Sequence, residues 1–254
     1  MQVLLARRAV VDVAVAMAVF LVSGSWILAV AGAEATYFLA AMGAGLAVVG
    51  NAATSVLSRK PRLTTAADRV TLIRAVLVSC CAAMAVPALF GGTGTGTGTG
   101  PGVPVVVLGA AAFLLDAVDG AVARRFACES PAGGRLDVQT DAALVLVLSC
   151  TAVPIVGPWV LAIGLMWYAF VAAGWFRPEL KRTLPVKRSR KVIGAYQPCA
   201  LLLALTPGVP GGISTVAVVL ALVALLASFG RDVVELEQGH RNWTGRHSST
   251  ELVN

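Results

Sequence analysis

Asp116, Asp119, Asp137 and Asp141 place four carboxylates within 26 residues, among aliphatic neighbours such as Leu114, Leu115, Val118, Val122, Leu136 and Val138. Hard oxygen donors grouped in this way suit Mg2+ or Mn2+, with water and a substrate phosphate completing the shell. Inside a bilayer-spanning segment each charged side chain costs about 2.5–3.5 kcal/mol on insertion scales, so four persist only beside a polar cavity and counter-charges. Two divalent cations would balance them. An ion pair with a nearby arginine explains one intramembrane aspartate as well as function does, but not four together.

The spacing adds to this. On a helix Asp116, Asp119, Gly120, Ala123 and Arg124 share one face about 140° wide at about 100° per residue. Asp137 and Asp141, at i and i+4, share a face of the next segment, after an expected turn over Ser130, Pro131, Ala132, Gly133 and Gly134. Two antiparallel helices would then present two carboxylates each to one pocket. Gly120 and Ala123 leave room for a ligand against the backbone, although a small residue such as Gly120 also serves helix packing. Arg124 suits either a phosphate or the anchoring of an aspartate.

The elements that must hold these residues are membrane helices. Of 254 residues 57% are apolar and 13% charged, with a mean hydropathy of +0.82. Apolar runs of about 20 residues recur, each long enough to cross about 30 Å of hydrocarbon. Their continuity and their Ala, Leu and Val content exclude a barrel of alternating strands. An all-α, polytopic protein with about eight spans is expected, near 10–31, 36–57, 70–90, 104–124, 137–156, 159–176, 192–207 and 213–230. Two N-terminal spans (1–63) would precede a six-helix core (64–230) and a short, polar, poorly ordered tail (231–254).

The net charge of +7 does not indicate nucleic acid, because its placement follows the positive-inside rule. With a cytoplasmic N-terminus, all 20 Lys and Arg fall inside or at an inner helix end. The expected outer loops (31–35, 91–103, 157–158 and 208–212) hold none. Both termini then face the cytoplasm, in a multi-pass protein of the cell membrane. Residues 1–35 imitate a secretory signal, with Arg7, Arg8, an apolar run and Ala-Gly-Ala, but the run is long for a signal core and a retained span is expected. Asp12 is expected to pair locally with Arg7 or Arg8.

Other features carry less chemistry. The low-complexity run GGTGTGTGTGPG at 91–102 is expected to be a flexible linker, with no strand before it and no Lys-Ser/Thr after it, so it is no phosphate loop. Cys80, Cys81, Cys128, Cys150 and Cys199 lack metal-site spacing, and the four inside spans are expected to be small buried residues. His240 and His247 have no other ligand type nearby and are expected to be solvated. The chain shows no internal repeat.

The pattern D-x2-D-G-x2-A-R-x8-G-x3-D-x3-D resembles, without a gap, the signature of the CDP-alcohol phosphatidyltransferase family. The resemblance extends over about 64–230 and implies a six-span core with a dinuclear metal site for the diphosphate of a CDP-linked lipid such as CDP-diacylglycerol. An alcohol attacks the lipid-side phosphorus and CMP leaves. By position, Asp116, Asp119, Asp137 and Asp141 would be the metal ligands, with Asp141 also the base for the alcohol proton. Gly120, Ala123, Arg124, Gly133 and the loop hydroxyl of Ser130 would lie against the CDP-lipid.

A weaker similarity precedes it. Where the family tends to show P-N-x-x-T-x-x-R, the chain has Ala67-Asp68-Arg69-Val70-Thr71-Leu72-Ile73-Arg74, so Thr71 and Arg74 match, and the resemblance implies that they contact the nucleotide of the substrate, while the Pro and Asn do not match. Asp68 in the Asn position would offer the nucleotide an acceptor, or else cap the helix. Arg135, Arg188 and Lys191 are candidates for an acceptor phosphate, although such basic clusters also set topology and attract anionic lipids. A homodimer is implied by the resemblance alone. The acceptor, a small alcohol or polyol phosphate, is left open.

Phosphoryl transfer asks mainly for alignment and charge neutralisation, and two cations about 4 Å apart stabilise both the entering and the leaving oxygen. A metal-adjacent carboxylate is a weak base, so Asp141 would act as the alcohol proton becomes acidic during attack. The main rival is an ion-coupled carrier, which also uses intramembrane carboxylates but predicts midplane sites and related halves. A catalytically silent membrane scaffold is the third alternative.

Overall fold

The computed structural model describes residues 2–58, 66–90, 102–126, 131–176 and 188–251, and no strand occurs among them. Eight α-helices follow one another: α1 (Gln2–Val30), α2 (Ala35–Leu57), α3 (Ala66–Leu89), α4 (Gly102–Phe126), α5 (Pro131–Val156), α6 (Leu161–Phe176), α7 (Arg188–Leu205) and α8 (Gly211–Glu251). A 3-10 turn (Pro158–Val160) leads into α6. The expected helices are all present.

Five of them are long and apolar enough to cross a membrane, within Arg7–Val30, Ala35–Leu57, Asp68–Leu89, Gly134–Val156 and Gly211–Arg231. Three shorter apolar stretches lie in Gly102–Asp116, Pro158–Gly174 and Val192–Leu205. Large apolar side chains such as Val11, Val22, Trp26, Leu39 and Val107 point outward from the bundle, as a hydrocarbon surround requires. The protein is a helical membrane protein.

Local sequence sets the boundaries. Gly32, at φ 63°, closes α1: its N–H donates to the Ala29 carbonyl while Ala33 N–H donates to Leu28, a left-handed cap that turns the chain directly into α2. Gly157, at φ 110°, separates α5 from Pro158 in the same left-handed region. The expected turn before α5 is shorter than the sequence suggested. Pro131 already begins the helix, because its fixed φ and missing N–H suit a first helical position, and Ala132, Gly133 and Gly134 form that first turn. The tail also differs from expectation: α8 runs on to Glu251, through a polar stretch that holds three Glu and three Arg and is free of proline.

α3 is the centre of the bundle, packed against α1, α2, α4 and α5, and 72% of its apolar window is buried against 28% for α1 and α8. One buried cluster joins α3 to α4–α8 through residues such as Cys81, Val105, Leu148, Ile163, Leu201 and Val218. A second joins α1 and α2 to the other side of α3 through Phe20, Leu28, Val49, Val56, Leu72 and Ala83.

In lipid these contacts are stabilised by close fit rather than by exclusion of water. At Gly164 a Cβ would lie 2.6 Å from Leu146 Cα, so α6 approaches the α5 backbone directly. At Gly45 it would strike the Phe20 ring and come within 2.8 Å of the Ser79 carbonyl oxygen.

Polar links reinforce the same frame. Gln139 Oε1 on α5 accepts from Ser55 Oγ (3.2 Å) and Asn51 Nδ2 (3.4 Å) on α2. Asp12 Oδ2 on α1 accepts from Arg69 Nε on α3 at 3.1 Å, a partner 57 residues away that the local reading of Asp12 did not include. Cys80 and Cys81 are buried and Cys150 half-buried, as expected, but Cys199 faces the bundle exterior, where hydrocarbon accepts a thiol as readily as the core does. Cys128, His240 and His247 lie outside the residues whose side chains are described.

Candidate metal centre

Three helices bring the charged residues together. Asp116 comes from α4, Asp137 and Asp141 from the second and third turns of α5, and Arg74 from the third turn of α3. One carboxylate oxygen from each of the three aspartates lies within 4.8 Å of the others. Oxygens sharing one Mg2+ stand at most about 4 Å apart, at twice the 2.0–2.1 Å bond length. The group therefore needs only a slight contraction to hold a single ion, or it spans two ions about 4 Å apart.

Arg74 is the counter-charge. Its side chain is 1% exposed, yet its guanidinium touches all three carboxylates. Nη1 lies 2.9 Å from Asp116 Oδ1 and 2.5 Å from Asp137 Oδ1, and Nη2 donates to Asp141 Oδ1. A planar fork with several fixed donors can serve three acceptors at once, which a lysine cannot. Three carboxylates against one guanidinium leave two negative charges, enough for one divalent cation.

The sequence pattern located these carboxylates but paired them only with cations and with Arg124. Arg74 stood in a separate motif as a nucleotide contact. The linkage was hidden by chain distance, since Asp137 and Asp141 lie 63 and 67 residues from it. One clue was available: Arg74 is a basic residue inside an apolar segment, where a partner is obligatory.

Other expected site residues take several positions. Asp68 and Thr71 are buried on α3, about two turns and one turn before Arg74 respectively. Because α3 starts at Ala66, Asp68 falls in the first turn rather than at the cap, where a carboxylate still favours the positive end of the helix. Arg135 is exposed on α5. Asp119, Gly120, Ala123 and Arg124 lie on α4, Gly133 on α5, and Arg188 and Lys191 on α7, all at positions whose side chains are outside the described residues; Ser130 lies outside them altogether.

The family model for CDP-alcohol phosphatidyltransferases matches residues 64–229, which begin just before α3 and end within α8. The chain belongs to the CDP-alcohol phosphatidyltransferase family. It is thus a membrane transferase of phospholipid biosynthesis, in a family that moves a phosphatidyl group from a CDP-alcohol donor to an alcohol acceptor and depends on divalent metal. Comparison with curated proteins and with solved structures gives no match. The helices α1 and α2 precede the matched region.

Proposed function

We propose that the protein transfers a phosphatidyl group from CDP-diacylglycerol to a small alcohol or polyol phosphate and releases CMP, using two Mg2+ or Mn2+ ions. The convergence of Asp116, Asp137 and Asp141 within 4.8 Å, in a chain of this family, carries the assignment. Asp119, one turn beyond Asp116 on α4, supplies the fourth carboxylate. Four carboxylates and Arg74 leave three negative charges, so two divalent ions turn the site net positive by one. That sign favours a diphosphate.

Metal ions held by Asp116, Asp119, Asp137 and Asp141 would supply charge neutralisation for the attacked phosphate and the departing CMP. Residues of the chain do the rest. Gly120, Ala123 and Gly133 let the nucleotide lie close to α4 and α5, while Arg124, Ser130, Thr71 and Asp68 hydrogen-bond it. Asp141 takes the alcohol proton as the new bond to phosphorus forms. Arg135, Arg188 and Lys191 hold an acceptor phosphate. Residues 64–230 form the catalytic core, with the site and both termini on the cytoplasmic side of the cell membrane. The family supports a transferase over an ion-coupled carrier.

The test is CMP release from CDP-diacylglycerol by membranes containing the protein, across a panel of acceptors. Release is expected with Mg2+ or Mn2+, is lost with chelator, and returns when metal is restored. Asp141→Asn is expected to abolish it while leaving folded protein in the membrane. Release that survives both chelation and Asp141→Asn would overturn the mechanism.

A further inference from the structure

We infer that Arg74 is an internal cation that holds the metal-site carboxylates together before metal arrives and is displaced from them by it. The inference rests on the dinuclear metal site proposed above and assigns Arg74 a role within it. The cluster is an electrostatic problem: three half-exposed carboxylates converge from two helices within 4.8 Å. Without a cation between them, α4 and α5 would be pushed apart at the place where a metal must bind. Arg74 occupies that place. It is buried, reaches in from a third helix, and bonds each of the three groups.

The same contacts oppose metal binding. One oxygen of each carboxylate faces the guanidinium: Nη1 lies 2.9 Å from Asp116 Oδ1 and 2.5 Å from Asp137 Oδ1, and Nη2 donates to Asp141 Oδ1, so an ion entering the cluster meets a positive charge beside its ligands. A divalent cation and a guanidinium cannot share these oxygens at bonding distance without strong repulsion. Metal entry therefore frees the Arg74 fork. A guanidinium so released would be available to the diphosphate of the incoming donor, whose oxygens suit its paired N–H groups. Arg74 is a positioning residue in the metal-free protein, and its exchange couples metal loading to the readiness of the diphosphate site.

This has a sign that a simple ligand-orienting role does not share. If Arg74 competes with metal, removing its charge tightens metal binding. If it only orients the ligands, removing it loosens metal binding. The protein, produced and purified with Mn2+ in lipid nanodiscs, would be exposed to a graded series of chelator strengths, with free Mn2+ followed by its paramagnetic resonance signal. Arg74→Gln is expected to retain Mn2+ at free-metal levels at least about tenfold below those that strip the wild type. Arg74→Lys, which keeps the charge, is expected to stay within about threefold of wild type.

Because the variants are made in the loaded state, the measurement does not require Arg74→Gln to fold without metal. Mn2+ released from Arg74→Gln as readily as from wild type, or more so, would overturn the inference. So would tightening in Arg74→Lys equal to that in Arg74→Gln, since charge would not then be the cause. Failure of the wild type to bind Mn2+ at all would instead refute the metal site itself, and with it this role for Arg74.

Discussion

Asp141→Asn is expected to make the metal-free protein more stable while removing its activity. Asp141 lies within 4.8 Å of carboxylate oxygens of Asp116 and Asp137 and is bonded to Arg74. At an effective dielectric of about 20, each like-charge pair at that distance costs about 3.5 kcal/mol, and one close guanidinium contact returns about 4 kcal/mol. Two repulsions thus outweigh one attraction by about 3 kcal/mol. The side chains of Asp116, Asp137 and Asp141 are 35%, 40% and 46% exposed, so solvent screens much of this and about 1 kcal/mol remains. The asparagine keeps an oxygen for Arg74 and gives up only the charge.

For a chain of this size 1 kcal/mol corresponds to about 2–4 °C in Tm. With Cys128, Cys150 and Cys199 replaced by alanine in both proteins, the buried thiols of Cys80 and Cys81 provide the assay, since a thiol-reactive dye reaches them only on unfolding. In chelator the variant should melt above wild type by about that amount. In saturating Mn2+ the order should invert, because the wild type gains binding energy that the variant has lost. A variant that melts below wild type in chelator, or that keeps the full metal-induced shift, would refute the electrostatic account of the site.

Gly164→Ala should destabilise without touching the chemistry. Its Cβ would lie 2.6 Å from Leu146 Cα, about 1 Å inside contact distance, and displacing α6 should cost about 1–3 kcal/mol. The same dye assay should show a lower Tm, with CMP release retained below the transition; an unchanged Tm would contradict the close approach of α5 and α6. Asp12→Asn should change stability by less than about 1 kcal/mol and leave CMP release intact, because Arg69 is 55% exposed in that pair. A large loss of activity in Asp12→Asn would show that the α1–α3 link reaches the site.

Much of the site could be read from the chain because helical periodicity is a short-range property. The i, i+3 and i, i+4 intervals of Asp116, Asp119, Asp137 and Asp141 predict shared faces without knowledge of tertiary structure. Membrane helices are legible for a related reason, since the bilayer fixes their length and excludes most alternatives. Partners brought close only by packing left no such trace. Arg74 meets three aspartates, Arg69 meets Asp12, and Gln139 meets Asn51 and Ser55 across separations of 42 to 88 residues. Helix ends were intermediate. Pro131 suits a turn and a first helical position equally by its chemistry, and the polar stretch after Phe229 has adequate helix propensity despite its lack of an apolar face.

The pairing of Phe20 with Gly45 has a consequence for how this protein was assembled. Stripping α1 and α2 from α3 would bare Leu72, Ala75, Cys80 and Ala83 to lipid tails, a solvent as oily as the helices that left. No aqueous penalty therefore tethers the pair; shape does, through an aromatic ring seated where a second helix lacks a side chain, together with the polar links from Asp12, Asn51 and Ser55. Such an attachment behaves as a keyed sleeve around the arginine-bearing helix.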